Sequence, residues 1–166
     1  LAFGPLSGAH FNPVISVIET GFGRLPRAVA LAYLAAQFAG AIVGVIAANL
    51  MFELPALFAS QQARAGMGQI FGEAVATFGL VTVILSCAKN RPAAVPYAVG
   101  AYITAAYWFT SSTSFANPAV TVARSLSDSF TGIRPMDAPA FIAAQIAGGT
   151  LAALLFRWIA ADPDRR

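Results

Sequence analysis

Gly8-Ala9-His10-Phe11-Asn12-Pro13-Val14 returns later in the chain as Ser114-Phe115-Ala116-Asn117-Pro118-Ala119-Val120. Proline suits the first turn of a helix, where its missing N–H has no partner to lose. The asparagine before it is a strong N-cap, and its amide N–H₂ can also point at a passing solute. Each copy therefore predicts a short helix that starts at its Asn-Pro pair. A second echo lies downstream, where Gln37-Phe38-Ala39-Gly40 recurs as Gln145-Ile146-Ala147-Gly148. Asn12 and Asn117 are offset by 105 residues and Gln37 and Gln145 by 108, so a three-residue insertion separates two halves of one repeat.

The composition around the repeat belongs to a membrane protein. Of 166 residues, 58% are hydrophobic and 10% charged, against roughly 25% charged in a soluble domain. Mean hydropathy is +0.70. The net charge of +3 comes from scattered basic residues, which argues against nucleic acid as a partner. The lone Cys87 excludes an intrachain disulfide and reads as packing. His10 is the one histidine, and with no second ligand beside it a metal role has no support. No nucleophile, acid pair or metal cluster stands out, so an enzyme has almost nothing to rest on. No cofactor is expected.

Four stretches are long enough to cross a bilayer, which takes about 20 mostly apolar residues. They are expected at about 26–52, 67–88, 93–112 and 138–161. Gly40 and Gly44 are placed to let helices approach closely. Trp108 and Trp158 sit near span ends, as interfacial anchors do. Arg24, Arg27, Lys89, Arg91, Arg157, Arg165 and Arg166 fall on one side of these spans, and Arg64, Arg124 and Arg134 on the other. The first group is then cytoplasmic. This sorting requires the stretches at about 12–22 and 117–128 to dip into the membrane and return.

Three spans separate the two Asn-Pro stretches, so the copies enter from opposite faces. Such an inverted repeat builds a site at the bilayer midplane. Two helix N-termini then meet head to head, and their dipoles make a positive barrier that repels protons and cations. The non-helical backbone before each Asn survives at membrane depth only by lining a cavity.

Ser7-Gly8-Ala9-His10-Phe11-Asn12-Pro13-Val14 and Asn117-Pro118-Ala119-Val120 resemble the paired Asn-Pro-Ala motifs of the aquaporin and glycerol-facilitator family. The resemblance covers the whole chain. It implies an all-α membrane protein, a right-handed helical bundle with two re-entrant half-helices in inverted repeat. It also implies a passive channel for water, glycerol-like polyols or uncharged arsenic species, set in a bacterial inner (plasma) membrane and assembled as a homotetramer. Against the family's six spans this sequence lacks the first and nearly all of the second. Because it starts at Leu1, it is read as truncated, with Leu1 to Gly4 the stub of an earlier element. The rival readings are a non-conducting fragment of such a channel and a strict water channel.

The resemblance also assigns residues. The pore motifs are Asn12, Pro13 and Val14 with Asn117, Pro118 and Ala119; Val14 replaces the usual alanine. Carbonyls of Gly8, Ala9 and His10 would line the cytoplasmic half of the pore, and those of Thr113, Ser114 and Phe115 the outer half. Glu73 would brace one re-entrant loop through backbone N–H groups; the alternative is an interfacial carboxylate. The outer selectivity filter maps onto Ala105, Ser114 and Val120, its remaining position being missing. Val120 stands where the family carries arginine, so the filter reads as wide and without its cation. Arg124, one helical turn on, either leans back toward that gap or snorkels and pairs with Asp128. The sequence from Ser114 to Asp128 resembles a bacterial branch linked to arsenic resistance.

Overall fold

The computed structural model describes residues 1–161, so Arg165 and Arg166 of the charge count lie outside the described residues. The elements run α1 (Gly4–Ser7), α2 (Pro13–Gly21), α3 (Arg27–Met51), α4 (Met67–Asn90), a 3₁₀ turn (Pro92–Ala94), α5 (Val95–Phe109), α6 (Pro118–Arg124) and α7 (Ala138–Ala161). Three of these, α3, α4 and α7, are long and apolar enough to cross a membrane. At 1.5 Å per residue each spans about 36 Å, more than a hydrocarbon core needs. Leu1 to Phe3 lead into the single turn α1, whose first residue is Gly4.

The stretch expected to span at 93–112 is a shorter helix of 15 residues, Val95–Phe109. Pro92 and Pro96 set its start and Thr110, extended at ψ 139°, ends it. The second half-helix also stops early, at Arg124 and not near 128. Ser125 and Leu126 close it with tight bonds from their N–H groups to Val122 and Ala123. The carbonyls of Ser125 and Leu126 are then taken by the N–H groups of Ser60 and Phe58, at 3.0 and 3.1 Å. An extended segment of the α3–α4 connection thus satisfies the C-terminal carbonyls that any helix leaves without partners.

The centre of the bundle is the α4–α7 pair. Gly148 makes it close, because a Cβ there would run into the Ala74 carbonyl oxygen of α4. One residue on, a Cβ at Gly149 would collide with Val14, so the half-helix α2 seats its isopropyl group where α7 has no side chain. Val14, Ile15 and Ile18 of α2 complete that core with Val81, Leu85 and Ala152. The close approach expected at Gly40 and Gly44 is not made among the described residues: none lies within 4 Å of where their Cβ atoms would be. A glycine spacing marks capacity for approach, and only the glycines facing a neighbour use it.

Several of the basic residues group together. Arg24, Lys89 and Arg157 line one cavity with Glu19. Arg64 and Arg124 converge on the Phe115 ring, and Arg134 joins them through Asp137.

Candidate functional site

The two half-helices begin alike. The Asn12 Oδ1 caps α2 by accepting from the Val14 N–H at 3.0 Å. The Asn117 Oδ1 caps α6 by accepting from Ala119 at 3.0 Å and Val120 at 3.3 Å. Their amide nitrogens then cross over. Asn12 Nδ2 donates to the Ala116 carbonyl at 2.7 Å, and Asn117 Nδ2 donates to the Phe11 carbonyl at 2.8 Å. Each asparagine is therefore locked onto the residue preceding the other. An amide N–H₂ has two hydrogens, so this link consumes one and leaves one.

The backbone repeats as well. Gly8, Ala9 and Phe11 have positive φ in the first loop, and Thr113, Ser114 and Ala116, the positions 105 residues on, have it in the second. Five of these six carry a Cβ, and a left-handed conformation costs such a residue about 1–2 kcal/mol. That strain needs holding in place. In the second loop the holder is Glu73, which is fully buried on α4. Its Oε1 accepts from the Phe115 N–H and its Oε2 from the Ala116 N–H, both at 2.8 Å. Gln145 Nε2 steadies the same carboxylate at 2.6 Å and reaches Thr121 Oγ1 at 2.8 Å. In the first copy Gln37 Nε2 donates to Ser16 Oγ at 3.0 Å, which repeats the Gln145–Thr121 pair. Tyr33 adds a bond from its hydroxyl to the Ser7 carbonyl.

Those bonds leave the carbonyls of Gly8, Ala9, His10, Thr113, Ser114 and Phe115 without a protein donor among the described residues. A cavity of about 440 Å³ runs along the first loop, lined by Gly8, Ala9, His10 and Phe11 against Ile84 of α4 and Val99 of α5. His10 itself turns its Nδ1 to Ser16 Oγ at 3.2 Å and its ring edge to Tyr33.

The three filter positions sit differently from one another. Ser114 is buried, and its Oγ has no hydrogen-bond partner among the described residues. Val120 lines a cavity with Phe11, Tyr33 and Gln37. Ala105 is exposed on α5, and it does not join Val120 in that cavity. Arg124 leans back along α6 until its guanidinium lies 4.3 Å from the Phe115 ring centre. Asp128 is engaged elsewhere, accepting from the Gln61 N–H at 2.9 Å.

Arg64 escaped sequence reasoning. It lies in the α3–α4 connection and is 4% exposed. Its Nε donates to the Gly132 carbonyl at 2.6 Å, Nη1 to Ser112 at 3.0 Å and Nη2 to Phe130 at 3.2 Å. Its guanidinium stacks 5.0 Å from the same Phe115 ring. Burial and the neighbouring Arg124 push the Arg64 guanidinium down from its usual range, and the Glu73 carboxylate pushes it up. Its backbone N–H is held by Asp137 Oδ2 at 2.8 Å, and the same carboxylate pairs with Arg134. The bond from the Arg134 side chain, and next that from the Arg64 N–H, hold Asp137 below the ordinary carboxylate range. A lone arginine in a loop gives no local signal, because its acceptors are 48 to 68 residues away in sequence.

Membrane-length apolar helices surrounding two half-helices that meet end to end define an integral, all-helical membrane protein of inverted-repeat design. Comparison with known proteins agrees. A sequence model of the major intrinsic protein family matches residues 1–112. The aquaglyceroporin AqpS of Rhizobium meliloti (strain 1021) is 54% identical over 156 residues, covering 94% of this chain and 67% of that protein. The probable aquaporin AqpM of Archaeoglobus fulgidus is 32% identical over 180 residues, covering 97% and 71%. Aquaporin Z of Bradyrhizobium diazoefficiens is 30% identical over 179 residues, covering 98% and 74%. The chain belongs to the major intrinsic protein family, whose members are membrane channels.

Proposed function

We propose that the whole protein carrying this chain is a passive channel for small neutral solutes, water and glycerol-like polyols above all, that refuses protons and ions. The reading rests on one observation, the crossed Asn12–Ala116 and Asn117–Phe11 bonds that fix two helix N-termini against each other. Positive dipole ends opposed in this way oppose a cation from either side. The remaining amide hydrogens and the undonated carbonyls of both loops supply donors and acceptors in sequence to a solute that sheds its water. Val120 in place of an arginine favours a filter wide enough for polyols over a strict water channel. The resemblance to a protein named an aquaglyceroporin points the same way. Uncharged arsenic hydroxides are compact polyhydroxyl solutes and fall within the same class. A homotetramer with one pore per subunit is the assembly this reading carries.

The test replaces Asn117 with Asp in the whole protein, reconstituted in vesicles. A carboxylate loses the Nδ2 donor to Phe11 and puts negative charge where two dipoles hold a positive field. Glycerol swelling should fall about tenfold and cation leak should rise, which is the size of effect expected from losing about 1.4 kcal/mol at a barrier. Unchanged swelling with unchanged leak would falsify the central role of Asn117.

A further inference from the structure

Arg64 and Arg124 bracket one aromatic ring from two different elements. Their guanidinium carbons lie 5.0 and 4.3 Å from the centre of Phe115, the residue between Ser114 and Ala116 of the outer loop. Neither is neutralised: among the described residues the ion pairs are Arg24–Glu19 and Arg134–Asp137. The carboxylate facing the pair is Glu73, which is spent on the Phe115 and Ala116 N–H groups and on Gln145. Asp137 at the Arg64 backbone N–H is offset by its ion pair with Arg134, so around the Phe115 ring two guanidinium groups face one carboxylate.

This arrangement is poor as a device for stability alone. Buried guanidinium groups are costly to desolvate, and two beside one ring repel each other. Arg64 recovers part of that cost through three carbonyls, at residues 112, 130 and 132. Arg124 recovers less, since its Nη1 is buried and finds no protein acceptor among the described residues. Two more buried polar atoms without partners among the described residues, Thr113 Oγ1 and Ser114 Oγ, belong to the loop that carries the ring. Unspent polar groups gathered on one loop are what a site for an oxygen-bearing solute presents.

We propose that Arg64 and Arg124 together supply the fixed positive charge of the outer mouth, and so determine its specificity against cations where Val120 does not. The inference rests on the channel reading above. A cation at Val120 would enter the cavity that residue lines and narrow it. Held against the Phe115 ring, the same charge acts through low-dielectric surroundings, where fields are screened little. Width and cation exclusion are then set by different residues. The neutral solute finds a wide mouth, and the ion meets the field.

The test measures potassium leak and glycerol swelling on the same vesicles, made with the whole protein and with Arg124→Met, Arg124→Lys, Arg64→Met and Arg64→Lys. Each methionine removes the charge while keeping much of the side-chain volume, and each lysine restores the charge without the planar fork. The ratio of potassium leak to glycerol rate should rise about tenfold or more in Arg124→Met, the scale on which surface fields alter ion rates. Arg124→Lys should bring it back toward wild type. Arg64→Met removes three hydrogen bonds, and where it fails to fold, the Arg124 pair decides alone. A ratio unchanged in Arg124→Met overturns the proposal, as does a leak in Arg124→Lys equal to that in Arg124→Met, since packing and not charge would then be at work. A wild-type protein that passes no neutral solute overturns the channel reading and this assignment with it.

Discussion

At Val120 the half-helix α6 carries an isopropyl group on a cavity shared with Phe11, Tyr33 and Gln37. An arginine there would bring five donors and a permanent charge into a space now apolar. Val120→Arg should therefore lower glycerol flux relative to water by about tenfold or more, the discrimination that a changed pocket wall typically gives. Stopped-flow swelling with both solutes measures that ratio directly. An unmoved ratio would show that this face of α6 does not border the path. The capping role of the Asn residues was legible at this scale, because Asn-Pro has a local mechanism, whereas the bracing role of Glu73 came from the family resemblance alone, with an interfacial carboxylate as its alternative. Arg64 was not legible, because its meaning lies in carbonyls contributed by distant loops.

Among the elements, the outer re-entrant loop is held from two sides. Glu73 takes the N–H groups of Phe115 and Ala116, while Arg64 takes the carbonyl of Ser112. Between those grips lie two positive-φ residues, Thr113 and Ser114, and a third, Ala116, is held by Glu73 itself. Glu73→Gln keeps the shape of the side chain but offers one oxygen where two are used, and turns an N–H₂ group toward a donor. One buried amide is stranded, at a cost of about 1–3 kcal/mol. Thermal unfolding in detergent should show the drop, and Glu73→Gln should lower solute flux because the strained loop relaxes. A variant with wild-type melting temperature would mean that the carboxylate holds nothing up. The repeat predicted both half-helices, yet it misjudged where α6 ends. Ser125, Ser127 and Asp128 follow Arg124, and such residues offer the backbone alternatives to helix. The extended segment around Phe58 and Ser60 then takes the freed carbonyls. Gly40 and Gly44 meet no neighbour among the described residues, whereas Gly148, the repeat partner of Gly40, meets a backbone. Nothing in the glycine spacing tells which copy faces a neighbour within this chain.

For the whole molecule, Asp137 joins the elements that close the outer face. It takes the Arg64 backbone N–H, pairs with Arg134, and so ties the α3–α4 connection to the start of α7. Through Arg64 the tie continues to the loops at residues 112, 130 and 132. Its carboxyl is held below the ordinary range, so the folded state favours the ionised form. The sign follows from linkage. A depressed carboxyl pKa contributes stability that is fully present above the unfolded value and is lost as pH falls through the folded one. Thermal stability should therefore be nearly flat in this group's contribution from about pH 7 to pH 5, and should decline below about pH 4, where an unperturbed Asp takes up its proton. Asp137→Asn should remove that part of the acid sensitivity. It should also lower the neutral-pH stability by about 1–3 kcal/mol, because an amide cannot accept at both oxygen positions from Arg134 and Arg64. Melting temperatures of wild type and variant, followed across that range in one detergent, make the comparison. Parallel curves would place the acid sensitivity in other carboxylates. Convergence of the two curves at low pH, with the gap opening above about pH 4, would locate it in the Arg134–Asp137–Arg64 tie.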